Sequence, residues 1–326
     1  MKQHYIPQFY LRRFSNNERS IYTYDKMLSK SYTAPLMSVC CEDDLYSISD
    51  EFIKKSQSEG KTNINRLSIE HNFFANDVEP LFSNILKVID DIKNEWLAGK
   101  NHYKLQYDEK KELALHIVMQ YFRHPHIKKN AVDNYLRLER AEIDMVKEML
   151  SAKTGRGEYR NMDIDVTCES PVLHANLTYM NDEVLMDCAE AIASNIFVFW
   201  ISRGNDFYMS DFPIIIYPHI PNAQSSYMGL SQKGGELTIP LSSDLVLSIY
   251  DVDYFNKIKD RDGCYIEASD KEIRQQNYLR YIYATRHVFS LKNDFKLIDF
   301  ICKQNGKHIF MKPNHRIEIV SGIGKY

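Results

Sequence analysis

Apolar residues at Phe82, Ile85, Leu86, Ile89 and Ile92 follow the i, i+3, i+4, i+7 spacing of one helix face, so a helix is predicted there, ending near Gly99. Asp108 is the expected N-cap of a second helix running to Arg123, with Lys111 rather than an acid three residues on and hence no capping box. Pro125 breaks that helix before a third, over about 127–150. Residues 64–150 thus read as a helical block. Earlier, Ser20–Asp25 alternates and predicts a strand, 44–48 reads as another, and polar 54–63 reads as a surface loop. Beyond residue 161 the pattern shifts. A helix is predicted over 183–193, then consecutive strands of a sheet buried on both faces at 196–201, 207–209 and 213–217. Segments 237–239 and 245–250 add two strands, 271–285 and 294–302 two helices, and 317–320 an edge strand. The fold class is α+β: a central helical block followed by a mixed β-sheet with flanking helices. Glycines and charges at 151–161 suggest residues 1–150, a linker over 151–163 and residues 164–326, with the two parts able to pack as one unit.

The start of the chain is dense. His4-Tyr-Ile-Pro-Gln-Phe-Tyr-Leu-Arg-Arg-Phe14 packs aromatic and basic residues where termini are ordinarily frayed and polar, so this segment is expected to dock onto the body. Ile6 precedes a proline and is pushed extended, and Pro7 suits a helix start. A short helix with Tyr10, Leu11 and Phe14 as anchors follows.

Bulk properties narrow the class. A net charge of −3 argues against a protein-wide nucleic-acid footprint, leaving only a local patch. The six cysteines lack C-x-x-C or zinc spacing and read as reduced thiols. No signal core interrupts this picture, and the longest apolar run, 196–201, falls far short of the ~18 residues of a membrane span. The expectation is a cytoplasmic protein with no membrane contact and no cofactor.

Three places carry candidate chemistry. His4 fits a general acid–base role or a hydrogen-bonded packing histidine, with Gln8 in the first turn of a helix whose N–H groups suit an anion. Glu112, His116, Gln120 and Arg123 share one helix face, which is either a wet amphipathic surface or a cleft wall where Arg123 clamps a phosphate or carboxylate. His124 and His126 form an H-x-H pair that converges poorly on a metal, and no metal site is expected. Asp211, with Ser210 beside it and Pro213 turning the chain, could orient a histidine, pair with an arginine, bind a cation or cap a turn. Dinucleotide, phosphate-loop, H-E-x-x-H and kinase motifs are absent, and the Arg280–His287 spacing is weak evidence for ribonuclease-like chemistry.

The opening string resembles the signature of the bacterial family known as domain of unknown function 4238. Gln120-Tyr-Phe-Arg-His-Pro125, Tyr208-Met-Ser-Asp-Phe-Pro213 and Pro240-Leu-Ser-Ser-Asp244 are similar to its later blocks, in order, followed by a helix carrying Asn277. Departures are Met209, Phe212, His124 and Ser243, where the family has threonine, asparagine, threonine and proline. The resemblance implies that His4, Gln8, Gln120, Arg123, Ser210, Asp211 and Asn277 belong together, and it implies no substrate. The leading expectation is a metal-independent hydrolase or transferase on a phosphate-containing substrate, of nuclease or toxin-like phage-defence type. There His4 does acid–base work, Arg123 stabilises anionic charge and Asp211 orients His4, while Gln8, Gln120, Ser210 and Asn277 bind substrate. Nucleic acid, a nucleotide or a protein are the expected partners. The alternatives are a non-catalytic module binding a small anion or a protein, and a purely structural polar network.

Overall fold

The computed structural model describes residues 1–61, 63–100, 103–204, 206–220, 229–305, 320–321 and 324–325. It is α+β. The N-terminal string forms β1 (Lys2–His4) and a short α1 (Gln8–Arg12), with Tyr10, Leu11 and Phe14 wholly buried as their spacing predicts. β2 (Ser20–Asp25) pairs with β3 (Lys30–Pro35), and β4 (Cys41–Asp43) pairs antiparallel with β1.

Helices follow. α2 (Asp50–Ser58) occupies the first half, 54–58, of the segment expected to be a loop; Ser49 caps it by accepting from Phe52 N at 3.2 Å, and Asp50 and Glu51 complement its N-terminal dipole. A wide helical stretch, Ser68–Val78, leads into α3 (Glu79–Leu97), whose predicted apolar stripe is buried. α4 (Tyr107–Phe122) starts two residues earlier than expected. Its cap is Gln106, whose N–H donates to Glu109 at 2.7 Å, a pairing hidden by reading Asp108 as the cap. α5 (Pro125–Thr154) begins at the predicted proline and ends at Gly155 with φ +70°, and Gly157–Asn161 folds back as a 3₁₀ turn against it. Among the described residues no helix is long and apolar enough to cross a membrane.

α6 (Ser170–Leu177) and α7 (Asp182–Ala193) precede the main sheet of β5 (Ile196–Ile201), β7 (Ile215–Pro218), β8 (Gly235–Ser242), β9 (Leu245–Tyr250) and β10 (Cys264–Glu267), once a short β6 (Met209–Ser210) is set apart. Its order is β10-β5-β9-β8-β7, with only β10–β5 parallel. α8 (Asp270–Tyr283), β11 (His287–Ser290) and α9 (Lys296–Asn305) follow. The expected strand 317–320 lies outside the described residues except Val320, which opens a small pairing of Val320–Ser321 with Gly324–Lys325.

Two expectations are corrected. Residues 44–48 are not a strand: Asp44 has φ +54° and the chain turns there, with Tyr46 N donating to the Gln3 side chain at 2.6 Å. The strands around 207–217 do not lie side by side. β6 joins the other sheet, order β3-β2-β11-β6, because Asp211 is drawn to the start of β11 and Pro213, with no N–H, cannot extend a ladder.

Alternation organises the main sheet. Phe197, Phe199, Leu237, Ile239, Leu247 and Ile249 face the core shared with the N-terminal segment, α3, α4 and α7. The opposite face carries Trp200, Tyr217, Glu236, Thr238, Ser248 and Tyr250, in rows such as Tyr217–Glu236–Tyr250. α8 covers part of this face. Its C-terminal carbonyls are satisfied by the buried Lys26 ammonium, which donates to Tyr281, Ile282 and Ala284 at 2.7–3.2 Å.

Candidate functional site

The residue blocks singled out by sequence meet one another mainly through side-chain to backbone hydrogen bonds. At the end of α4, Gln120 Nε2 donates to the Tyr5 carbonyl at 2.7 Å and Arg123 Nη2 to the His4 carbonyl at 2.8 Å. Arg123 is 2 % exposed, its guanidinium lies 3.9 Å from the Phe74 ring centre, and Nη1 pairs with Glu79 at 3.0 Å. Its own carbonyl accepts from Tyr46 Oη at 3.0 Å. The α4 face expected to be wet or to wall a cleft is therefore buried from His116 to Arg123, with the N-terminal segment over Gln120 and Arg123. His116 stacks on Phe82 at 5.3 Å and burial lowers its pKa to about 4.

His4 and Arg123 are brought together, through the His4 backbone. The His4 imidazole is lowered in pKa chiefly by burial, and its Nε2 has no hydrogen-bond partner among the described residues. Asp211 belongs to a different network. Its buried carboxylate accepts from the backbone N–H groups of Thr285, Arg286 and His287 at 2.7–2.8 Å, and burial raises its pKa. Among the described residues it makes no hydrogen bond or ion pair with His4. The Asp211 carbonyl instead meets His124 Nε2 at 3.1 Å, and His124 Nδ1 accepts from His126 N, so the H-x-H pair closes a turn.

The other expected substrate ligands are similarly placed. Gln8 accepts from Arg12 at 3.3 Å, within an α1 of five residues. Ser210 Oγ donates to the Phe212 carbonyl at 2.8 Å. Asn277 accepts from Tyr208 N at 2.8 Å and donates to the Asp206 carbonyl at 2.7 Å. Replacing Asn277 with leucine strands both backbone groups, and a loss of about 1–3 kcal/mol in urea unfolding is expected. The Pro240–Asp244 block meets the N-terminal string: Tyr10 Oη donates to the Pro240 carbonyl, Arg13 Nε to Leu241 at 2.6 Å, and Arg13 forks onto Asp90 at 2.7 and 2.8 Å.

The polar face of the main sheet differs: Glu236, Thr238, Ser248 and Gln276 are buried there, and the partly exposed His219 ring opens the cluster to solvent. A cleft of about 330 Å³ between that face and the start of α8 is lined by Trp200, Tyr217, His219, Glu236, Tyr250 and residues Lys271, Glu272, Gln275 and Gln276. At its floor Glu236, with an 8 % exposed side chain, meets His219 Nε2 at 2.8 Å and accepts from Ser248 Oγ at 2.8 Å. A carboxylate only accepts, so Nε2 carries a proton, and in the neutral ring Nδ1 is the lone-pair nitrogen. The His219 ring is 31 % exposed, set between Tyr217 and Phe255 at 5.1 and 5.0 Å. Behind the pair, Gln276 accepts from Thr238 Oγ1 at 2.6 Å and from Arg280 Nη2 at 3.3 Å. Arg280 is wholly buried, and its guanidinium bonds to the Pro213 and Thr238 carbonyls and, among the described residues, to no carboxylate.

None of these cleft residues stood out by motif. The available signal was the strict alternation Glu236-Leu-Thr-Ile239 on β8, matched by Ser248 and Tyr250 on β9 and by Gln276 and Arg280 one turn apart on α8.

Fold and geometry define an α+β protein whose sequence blocks fasten the N-terminal segment, the helical block and the two sheets to one another. The family model for a protein of unknown function (DUF4238) matches residues 2–294, nearly the whole chain, and the protein belongs to that family. Comparison with curated proteins and with solved structures gave no match.

Proposed function

We propose that the protein is a metal-independent hydrolase or transferase for a small phosphate-containing substrate, working in the cleft over β8 and β9. The observation that carries this reading is the His219–Glu236 pair at 2.8 Å, with its imidazole partly exposed inside a walled cleft. Glu236 fixes the ring and its tautomer, and Nδ1 takes a proton from water or a substrate hydroxyl and returns it to the leaving group. Lys271 at the rim supplies positive charge for a phosphate. In this reading His4, Gln8, Gln120, Arg123, Ser210, Asp211 and Asn277 hold the fold, and they support the chemistry by fixing β7, β8 and α8. A cleft of about 330 Å³ favours a small molecule over a polymer, which weakens the nuclease and phage-defence expectation.

The test is turnover of a panel of phosphate mono- and diesters by the chelator-treated chain. His219→Gln should lower kcat/KM at least ~100-fold, the lower bound for a general acid–base, with the thermal midpoint unchanged. Unchanged turnover in that variant would refute the assignment. A binding-only sensor is the second reading, favoured because no exposed serine, threonine or cysteine lines the cleft among the described residues. It predicts thermal stabilisation by a phosphate compound without turnover.

A further inference from the structure

We infer that the cleft selects a mononucleotide, a planar ring bearing a phosphate, as its ligand. This deepens the functional reading above and rests on it. The argument begins with charge. Four ionisable side chains line the cleft besides its tyrosines: His219, Glu236, Lys271 and Glu272. Glu236 is committed to His219 and Ser248. Glu272 is committed to the start of α8, where it accepts from Ser269 N at 3.1 Å and from the Ser269 hydroxyl in a capping box, beside the positive end of the helix dipole. Lys271 is left. Glu236 and Glu272 keep their negative charge, so an anionic group is placed at the exposed Lys271 ammonium, the one lysine or arginine among the described lining residues, which has no hydrogen bond or ion pair among the described residues.

The walls supply the second half of the recognition. Trp200, Tyr217 and Tyr250 come from three different strands and are each only half-buried, and all three line the same space. Aromatic faces left open to a cleft are stacking platforms for a planar ring, and stacking tolerates any base. Gln275 is exposed on the α8 side, with an amide able both to donate to and to accept from a ring edge. A phosphorylated sugar would satisfy Lys271 and leave the aromatic walls bare, and a nucleoside would do the reverse. The volume, about 330 Å³, suits one such unit.

Equilibrium binding by calorimetry tests this with adenosine, guanosine, cytidine and uridine monophosphates, their nucleosides, ribose 5-phosphate and inorganic phosphate. At least one nucleotide should bind 10-fold or more tighter than its nucleoside and than ribose 5-phosphate. Lys271→Ala, at an exposed position, should erase the advantage over the nucleoside. Trp200→Ala should erase the advantage over ribose 5-phosphate, and Trp200→Phe should keep most of it and guard against misfolding. Ribose 5-phosphate binding as tightly as every nucleotide, still dependent on Lys271, would overturn the nucleotide and leave the phosphate reading standing. No binding by any phosphate compound to the folded chain would overturn both.

Discussion

Arg123→Ala is expected to cost about 3–5 kcal/mol of folding stability, enough to unfold much of the chain. The guanidinium is sealed, 2 % exposed, between the rings of Phe74 and Tyr46 and satisfies Glu79 and the His4 carbonyl at 3.0 and 2.8 Å. Truncation leaves the Glu79 carboxylate and a backbone carbonyl uncompensated and opens a cavity against Phe74. Adding Glu79→Ala should restore part of the loss, because the stranded charge goes with it, whereas the cavity and the carbonyl remain. Urea unfolding of the two variants checks this. A loss below ~1 kcal/mol for Arg123→Ala would mean that the guanidinium is not holding β1 to α4.

The second large effect is acid lability well above the carboxylate range. Burial lowers the pKa of His116 to about 4 and of His124 and His174 to about 3, and neither nitrogen of His174 has a hydrogen-bond partner among the described residues. These rings are neutral in the folded chain, while the unfolded chain protonates them near pH 6.5. Below that pH the unfolded state binds more protons, so stability is full above about 6.5 and falls as pH drops towards the folded values. Three such groups give a slope of up to about 4 kcal/mol per pH unit between roughly pH 6 and 4. His4 and His287, also lowered chiefly by burial, act in the same direction, and Asp211, raised by burial, acts against them. The urea midpoint measured from pH 7.5 to 4.5 should fall steeply below pH 6. A flat profile down to pH 5 would show that these histidines find polar partners on protonation.

Much of the fold was legible because its elements are set by local pattern. The α3 stripe, the bounds of β2 and β5, the break at Pro125 and the buried Tyr10, Leu11 and Phe14 all follow from periodicity and proline chemistry. What failed depended on distant partners. Residues 44–48 turn because Gln3 captures Tyr46 N, and β6 leaves its neighbours because Asp211 is bound by residues more than seventy positions away. The same cause explains the candidate site. Residue types at 4, 120, 123, 211 and 277 read equally well as catalytic or as fasteners, and only the direction of their hydrogen bonds separates the two. The cleft residues His219, Glu236 and Gln276 carried no motif, since a period of two along β8 becomes a polar surface only once α8 lies across it.

One comparison separates fasteners from working residues most directly: urea unfolding and phosphate-ester turnover on His4→Ala, Asp211→Asn and His219→Gln, side by side. His219→Gln should stay within ~0.5 kcal/mol of the parent in stability and lose turnover. Asp211→Asn should lose stability, by about 1–3 kcal/mol, with turnover per folded molecule retained, and His4→Ala should likewise retain turnover per folded molecule. Loss of turnover in His4→Ala at unchanged stability, with His219→Gln fully active, would contradict this division and return the chemistry to the N-terminal segment.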